Sequence, residues 1–310
     1  MRLEFINPQR VLGLETQERR DGLRGGRPGN LLIKGDEIMK RVVPMMGMLL
    51  VAVLLAWPTA GKAEMYVEGY VGINFAAPIG KELDIASPGS ALSPRGWWGS
   101  GDFTGHVNPA FLGGAKLGYW FVKEGFLGYN YPDWAKYFGV YFDLSYHKLP
   151  LRHQDFTVRQ FAPLPVATYV NNNISMNGTV LTLAFMFAGR YGFLPDSEVP
   201  FGRLQPYLAV GPAILISSQR PTVQVNVAGL PFGAGMESAY KTSTNVALAV
   251  ETGVRYLALK NVSLDLSFKY RYAQPHYRFD FHDNLARTFD VTYNPTYHFF
   301  SLQLGAAYHF

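Results

Sequence analysis

Nine ionisable residues share one kind of position in this chain: Glu68, Lys116, Asp143, Arg190, Glu251, Arg255, Asp265, Lys269 and Arg271. Each falls on the face of an alternating segment that is otherwise small or polar. Four are acidic and five basic. Ionised groups crowded into an interior must pair or stay hydrated, because an isolated buried charge is costly. Three chemistries suit such a set: a salt-bridged brace, a narrow ion path, or proton transfer. The residues alone favour the brace.

Other reactive groups are scattered. His276, His282 and His298 lie near Asp280 and Asp283, but the His276–His282 spacing matches no known metal motif. His309 and Ser301 share a face eight residues apart, about 27 Å along a strand, too far for a nucleophile and its base. Neither a phosphate-binding glycine loop nor a nucleophile elbow occurs, and there is no cysteine. No catalytic residue, metal site or cofactor is therefore expected.

The elements that carry the nine charges repeat every second residue. Eight segments alternate: Tyr66–Phe75, Phe111–Phe121, Phe138–Tyr146, Thr179–Tyr191, Tyr207–Ile216, Val246–Tyr256, Val262–Tyr272 and Phe300–Phe310. In the seventh, Val262, Leu264, Leu266, Phe268, Tyr270 and Tyr272 oppose Ser263, Asp265, Ser267, Lys269 and Arg271. The large apolar residues occupy one face, while Gly, Ala, Ser and the charges occupy the other. A water-soluble sandwich exposes its polar face. A narrow membrane barrel turns its large residues to lipid and its small ones to a crowded lumen. Each segment is about ten residues, enough to cross a bilayer at a tilt. Eight is an even number, so both ends reach the same side. The fold predicted is all-β, a membrane-spanning, eight-stranded, antiparallel up-and-down β-barrel. Pro212 is awkward in the fifth segment.

Composition agrees. The chain has 310 residues, only 16% of them charged, with 32 glycines. The formal net charge is +5, but residues 1–63 hold ten Lys/Arg against six Asp/Glu, leaving 18 against 17 for the rest. The basic excess thus belongs mostly to the leader, and nucleic acid is not an expected partner. Met39-Lys40-Arg41, an apolar run from Val42 to Trp57, and small residues ending at Ala63 make a signal peptide, with cleavage before Glu64. Residues 1–38 precede it and read as a disordered or non-native upstream extension, with Met39 as the true start. Residues 39–63 are the signal peptide and 64–310 the barrel domain.

The connections at about 76–109, 149–177, 217–243 and 274–296 are long and read as outer loops. Trp97, Trp98 and Phe161 in the first two are candidate contacts for an extracellular partner. Val223–Val227 reads as a strand extension above the membrane.

Three stretches carry a family resemblance: Gln205-Pro206-Tyr207-Leu208-Ala209-Val210-Gly211-Pro212, Glu251-Thr252-Gly253-Val254-Arg255-Tyr256, and Asn261 to Tyr272. With them, residues 64–310 resemble the eight-stranded outer-membrane β-barrel domain proteins, the OmpA-like and Opa-like group. That resemblance implies residence in the outer membrane of a Gram-negative bacterium, among its lipid and lipopolysaccharide. It also implies that the terminal Phe310 is read by the barrel-assembly machinery. The group includes adhesins, narrow channels and members of unknown role. The reading that follows is a non-catalytic structural or surface-interaction barrel. A narrow passive channel and a lipid-modifying enzyme are the alternatives.

Overall fold

The computed structural model describes residues 64–87, 97–122, 131–161, 167–226, 234–282 and 288–310. The upstream extension and the signal peptide lie outside the described residues. Thirteen strands follow one another: β1 Glu64–Ala76, β2 Ile79–Ser87, β3 Trp97–Gly105, β4 Ala110–Trp120, β5 Phe138–Phe161, β6 Ala167–Arg190, β7 Leu204–Asn226, β8 Ala234–Ser238, β9 Lys241–Leu259, β10 Val262–Ala273, β11 Tyr277–His282, β12 Thr288–Tyr293 and β13 Tyr297–His309.

Eight of these close a barrel in the order β1-β4-β5-β6-β7-β9-β10-β13 and back to β1, with every neighbour antiparallel. Closure leaves no sheet edge, so the backbone hydrogen bonds are made within the wall, as hydrocarbon requires. The outward face is apolar: Ile73, Phe142, Phe187, Leu208, Val254, Leu266 and Leu304 are exposed, as are Phe111 (70%) and Val246 (81%). We call the end where β1 begins and β13 finishes the lower end.

The wall does not stop where the apolar band stops. A second ring of eight strands, β2-β3-β5-β6-β7-β8-β11-β12, closes on itself above the first. Three strands, β5, β6 and β7, run unbroken through both rings. The other five wall strands break and resume at 77–78, 106–109, 239–240, 274–276 and 294–296. Pro78, Pro109, Pro275 and Pro295 occupy four of these breaks. Proline has no N–H to give the ladder, which favours a break there, although Pro150 in β5 and Pro206, Pro212 and Pro221 in β7 are carried within unbroken strands.

This corrects the sequence reading, in which the long connections are loops and β5 and β6 meet the upper boundary near Tyr146 and Thr179. The physical cause is an inversion of pattern. Inside the membrane band, large residues point out and small ones in. Above it, Leu149, Leu151, Ile174 and Met176 are buried inward, while Lys148, Arg152 and Asn177 face out. Alternation continues with its sense reversed, so a search for large outward residues ends too early. The extension read at Val223–Val227 is present as far as Asn226, where β7 ends, and Val227 lies outside the described residues.

Pro212 sits in β7 facing outward. It keeps register with Leu248 of β9, but pairing with β6 skips from Ala184↔Ala213 to Phe187↔Val210. The missing donor is thus lost on one side only.

At the lower end, the connections contain the following described features. A short 3-10 helix, Asp133–Tyr137, precedes β5. Lys260 and Asn261 alone turn β9 into β10, with a one-residue register shift beside Val262. In the β6–β7 turn, Asp196 Oδ1 accepts hydrogen bonds from the Glu198 and Val199 amides, at 2.9 and 2.7 Å. Arg203 bonds to the other Asp196 oxygen and to Glu198, and reaches the Leu257 carbonyl of β9 at 3.2 Å.

Candidate functional site

The nine charged residues all point into the lumen and all are buried, none more than 5% exposed. Register explains why they meet. Glu68, Lys116 and Asp143 stand in one row across β1, β4 and β5, alternating in sign. That row continues around the wall through Ala184, Ala213, Ala247 and Ala273. Those four alanines belong to the buried apolar cluster of the interior, which a narrow eight-stranded barrel fills with side chains.

Lys116 Nζ lies 2.7 Å from both Glu68 Oε1 and Glu251 Oε1, bridging β1 and β9 across the lumen. Lys269 Nζ lies 2.6 Å from Asp143 Oδ2 and 2.8 Å from Glu251 Oε2. Arg255 Nη2 is 2.6 Å from Glu68 Oε2, and its Nε is 3.5 Å from Asp265 Oδ2. Two tyrosines complete this layer. The Tyr70 hydroxyl donates to Asp143 Oδ1 at 2.5 Å, and the Tyr207 hydroxyl lies 2.7 Å from Glu251 Oε1 and 2.9 Å from Asp265 Oδ1. Seven of the nine charges thus form one connected ion-pair network.

Arg271 and Arg190 sit apart from it. Arg271 donates to Ser145, Thr182 and Asn74, at 3.1, 3.3 and 2.7 Å, with no acidic partner within ion-pair distance among the described residues. Arg190 lies toward the lower end. It donates to Gln205 Oε1 at 3.0 Å and is sandwiched between Trp120 and Phe201, at 4.1 and 4.4 Å from the ring centroids. Trp120 stacks in turn on Tyr66, over which Arg255 lies at 4.1 Å. Cation and ring alternate across the floor of the barrel.

Above the charged layer the interior becomes aromatic. Tyr277, Phe279, Phe281, Tyr293, Tyr297 and Phe299 are buried with Leu149, Ile174 and Met176 in one cluster. Tyr277 donates to Ser217 Oγ at 2.5 Å, and Gln219 bonds to the Tyr297 hydroxyl. Sequence reading missed this layer. Its signal was present as Tyr277-Arg278-Phe279-Asp280-Phe281, a short alternation whose large side chains turn inward.

The remaining candidates are dispersed. Trp97 and Trp98 open β3, and Phe161 closes β5. Trp98 and Phe161 are register partners, though the side chains of all three lie outside the described residues. Phe310 is exposed, packs edge-on against Tyr308 at 5.2 Å, and donates its amide to the Met65 carbonyl at 2.9 Å. His276 contacts Asn294 Oδ1 at 2.6 Å, and His298 contacts the Tyr270 hydroxyl at 2.8 Å. Asp283 and the His282 side chain lie outside the described residues. Among those that are described, no three His, Asp or Glu side chains form a metal-sized group.

The strand pairing, the outward apolar band and the filled lumen define the fold as an eight-stranded β-barrel of the outer-membrane type. No family model matches the chain, and no curated protein matches it in sequence. Solved structures align with it at low identity. Neisserial surface protein A is 15% identical over 79% of this chain and 97% of its own, with a TM-score of 0.34. The outer membrane protein OprG from Pseudomonas aeruginosa is 15% identical over 81% and 97%, with a TM-score of 0.35. The outer membrane protease OmpT from Escherichia coli is 9% identical over 82% and 99%, with a TM-score of 0.33.

Proposed function

We infer that this chain is a non-catalytic barrel of the bacterial outer membrane, with its lower end in the periplasm. Its role is to hold a rigid wall above the lipid, where the hairpin tips meet a surface partner. The observation that carries this reading is Lys116, buried between Glu68 and Glu251 with both contacts at 2.7 Å. A lysine on β4 held between the carboxylate of neighbouring β1 and that of β9 on the opposite wall braces the lumen. The aromatic layer above and the Arg190 sandwich below add two further packed layers.

Planar-bilayer recording of the refolded chain tests the proposal, and the expected result is no steady single-channel conductance. A stable, ion-selective step in the wild type would favour the narrow passive channel instead. That second reading draws on the polar lining of the charged layer, which water could enter if the ion pairs parted. A lipid-modifying activity would appear as a mass shift in lipid A from cells expressing the chain, and none is expected.

A further inference from the structure

We propose that Arg271 anchors a buried anion site, in which its guanidinium holds one small monovalent anion of the chloride class inside the lumen, between the charged layer and the aromatic one. This goes beyond the bracing role and does not depend on it.

Arg271 is fully buried on β10, opposite Ala249 of β9 and Phe299 of β13. Its Nη1 donates to Ser145 and Thr182 and its Nη2 to Asn74, all neutral oxygens. A guanidinium presents five N–H groups in a rigid fork that suits anions. Nε, on the edge of that fork beside Nη2, has no hydrogen-bond partner among the described residues. The carboxylates below are engaged elsewhere. Asp143, two residues from Ser145 on β5, meets Tyr70 through Oδ1 and Lys269 through Oδ2. Glu251 meets Lys116, Lys269 and Tyr207. The network sets four carboxylates against three cations, and the Tyr70 and Tyr207 hydroxyls serve the remainder. Arg271 thus keeps its charge among neutral groups, where an unpaired cation is costly and a counter-ion stabilises it.

The surroundings favour a small ion. Arg271 Cζ lies 5.7 Å from the centre of the Phe299 ring, and His147 meets the same ring edge-on at 5.1 Å. His147 is fully buried, and its Nδ1 lies 2.9 Å from the Lys148 carbonyl, so Nδ1 carries the proton. Its Nε2 has no hydrogen-bond partner among the described residues. In the neutral ring Nε2 is an acceptor. One water that donates both to the anion and to Nε2 satisfies each of them. Leu112, the register partner of His147, and Leu149, two residues above it on β5, are buried as well. Apolar walls lower the local dielectric and strengthen the hold of a cation on an anion. An interior so filled by side chains admits a monatomic ion rather than an organic acid.

The test uses the full protein extracted from membranes, unfolded and refolded with sodium bromide in place of chloride. Bromide is located in crystals by its anomalous scattering, and the expected peak lies against Arg271 Nε inside the lumen. Water alone at Nε would overturn the site. In solution, the urea midpoint of the wild type should rise with bromide when ionic strength is held constant with gluconate, because an ion that binds only the folded barrel stabilises it. The folded-to-unfolded ratio should gain about tenfold for each tenfold of bromide once the site is filled. Arg271→Gln should abolish that gain. Lys241→Gln, which removes a cation paired with Asp280 on the upper wall, should keep it. A midpoint that ignores bromide would make a crystal peak an adventitious ion only and overturn the proposal, as would an equal gain in Arg271→Gln. Should Arg271→Gln fail to fold, the wild-type peak and the wild-type bromide dependence decide together, and the lack of either would overturn the site.

Discussion

Glu251 on β9 stands directly opposite Lys269 on β10, and their side chains meet at 2.8 Å inside the lumen. The next charged pair down the same two strands, Arg255 and Asp265, lies beyond Gly253 and Ser267 and is again of opposite sign. The two-residue turn at Lys260–Asn261 sets this register, and a slip of one residue would turn the charges of the shifted strand toward lipid.

Glu251 also receives Lys116 and Tyr207, so its removal breaks two ion pairs and a hydrogen bond in a closed interior, leaving Lys116 to Glu68 and Lys269 to Asp143. Glu251→Ala should cost about 3–5 kcal/mol in urea unfolding of the bilayer-embedded barrel. Asp290→Ala, which breaks an exposed pair, should unfold at the wild-type urea concentration. Matching midpoints for the two variants would mean that the network contributes nothing beyond what surface pairs do.

The aromatic layer should behave as a packed core. Phe279→Ala is expected to lose about 3–5 kcal/mol while leaving membrane insertion intact, because the residue lies above the apolar band. Thermal unfolding with separate Trp and far-UV readouts measures this. An unchanged midpoint would show that the upper ring is not packed by its aromatics.

Glycines on the two faces of β4 give a register test. A Cβ on Gly118 would come within 2.2 Å of the Tyr66 ring, whereas one on Gly113 meets nothing within 4 Å. Gly118→Ala should therefore destabilise by about 1–3 kcal/mol, and Gly113→Ala should be close to neutral. The reverse order would place the wrong face of β4 in the lumen.

The β6–β7 turn at the lower end carries a pH signature. The Arg203 side chain, hydrogen-bonded to Asp196, and then the Val199 amide hold the Asp196 carboxyl below its usual value. A depressed carboxylate stabilises the fold above its unfolded pKa, and that contribution is lost as pH falls through the folded one. In NMR titrations the Glu198 and Val199 amides should shift only below the ordinary aspartate range, and Asp196→Asn should remove the transition. A transition at or above that range would show that the clamp does not form.

How much of this was legible in the sequence follows from the physics of each layer. In β10, apolar and polar residues alternate without a fault, because one face meets lipid and the other a polar lumen. That asymmetry assigned the strand and placed Asp265, Lys269 and Arg271 inside. The short β9–β10 connection brought Glu251 and Arg255 opposite them, since a tight turn leaves little freedom of register. The upper ring was not legible in this way. Above the lipid the outer face meets water, so the sense of the alternation reverses at Lys148 and at Tyr277, and a pattern tuned to apolar-out strands reads the segments as loops. Contacts between distant strands belonged to tertiary structure alone. Nothing local to Lys116 says that it reaches Glu251 across the barrel, or that Arg190 lies between Trp120 and Phe201. Those meetings depend on how the closed wall folds its rows back on themselves, and the closure is fixed by all eight strands together.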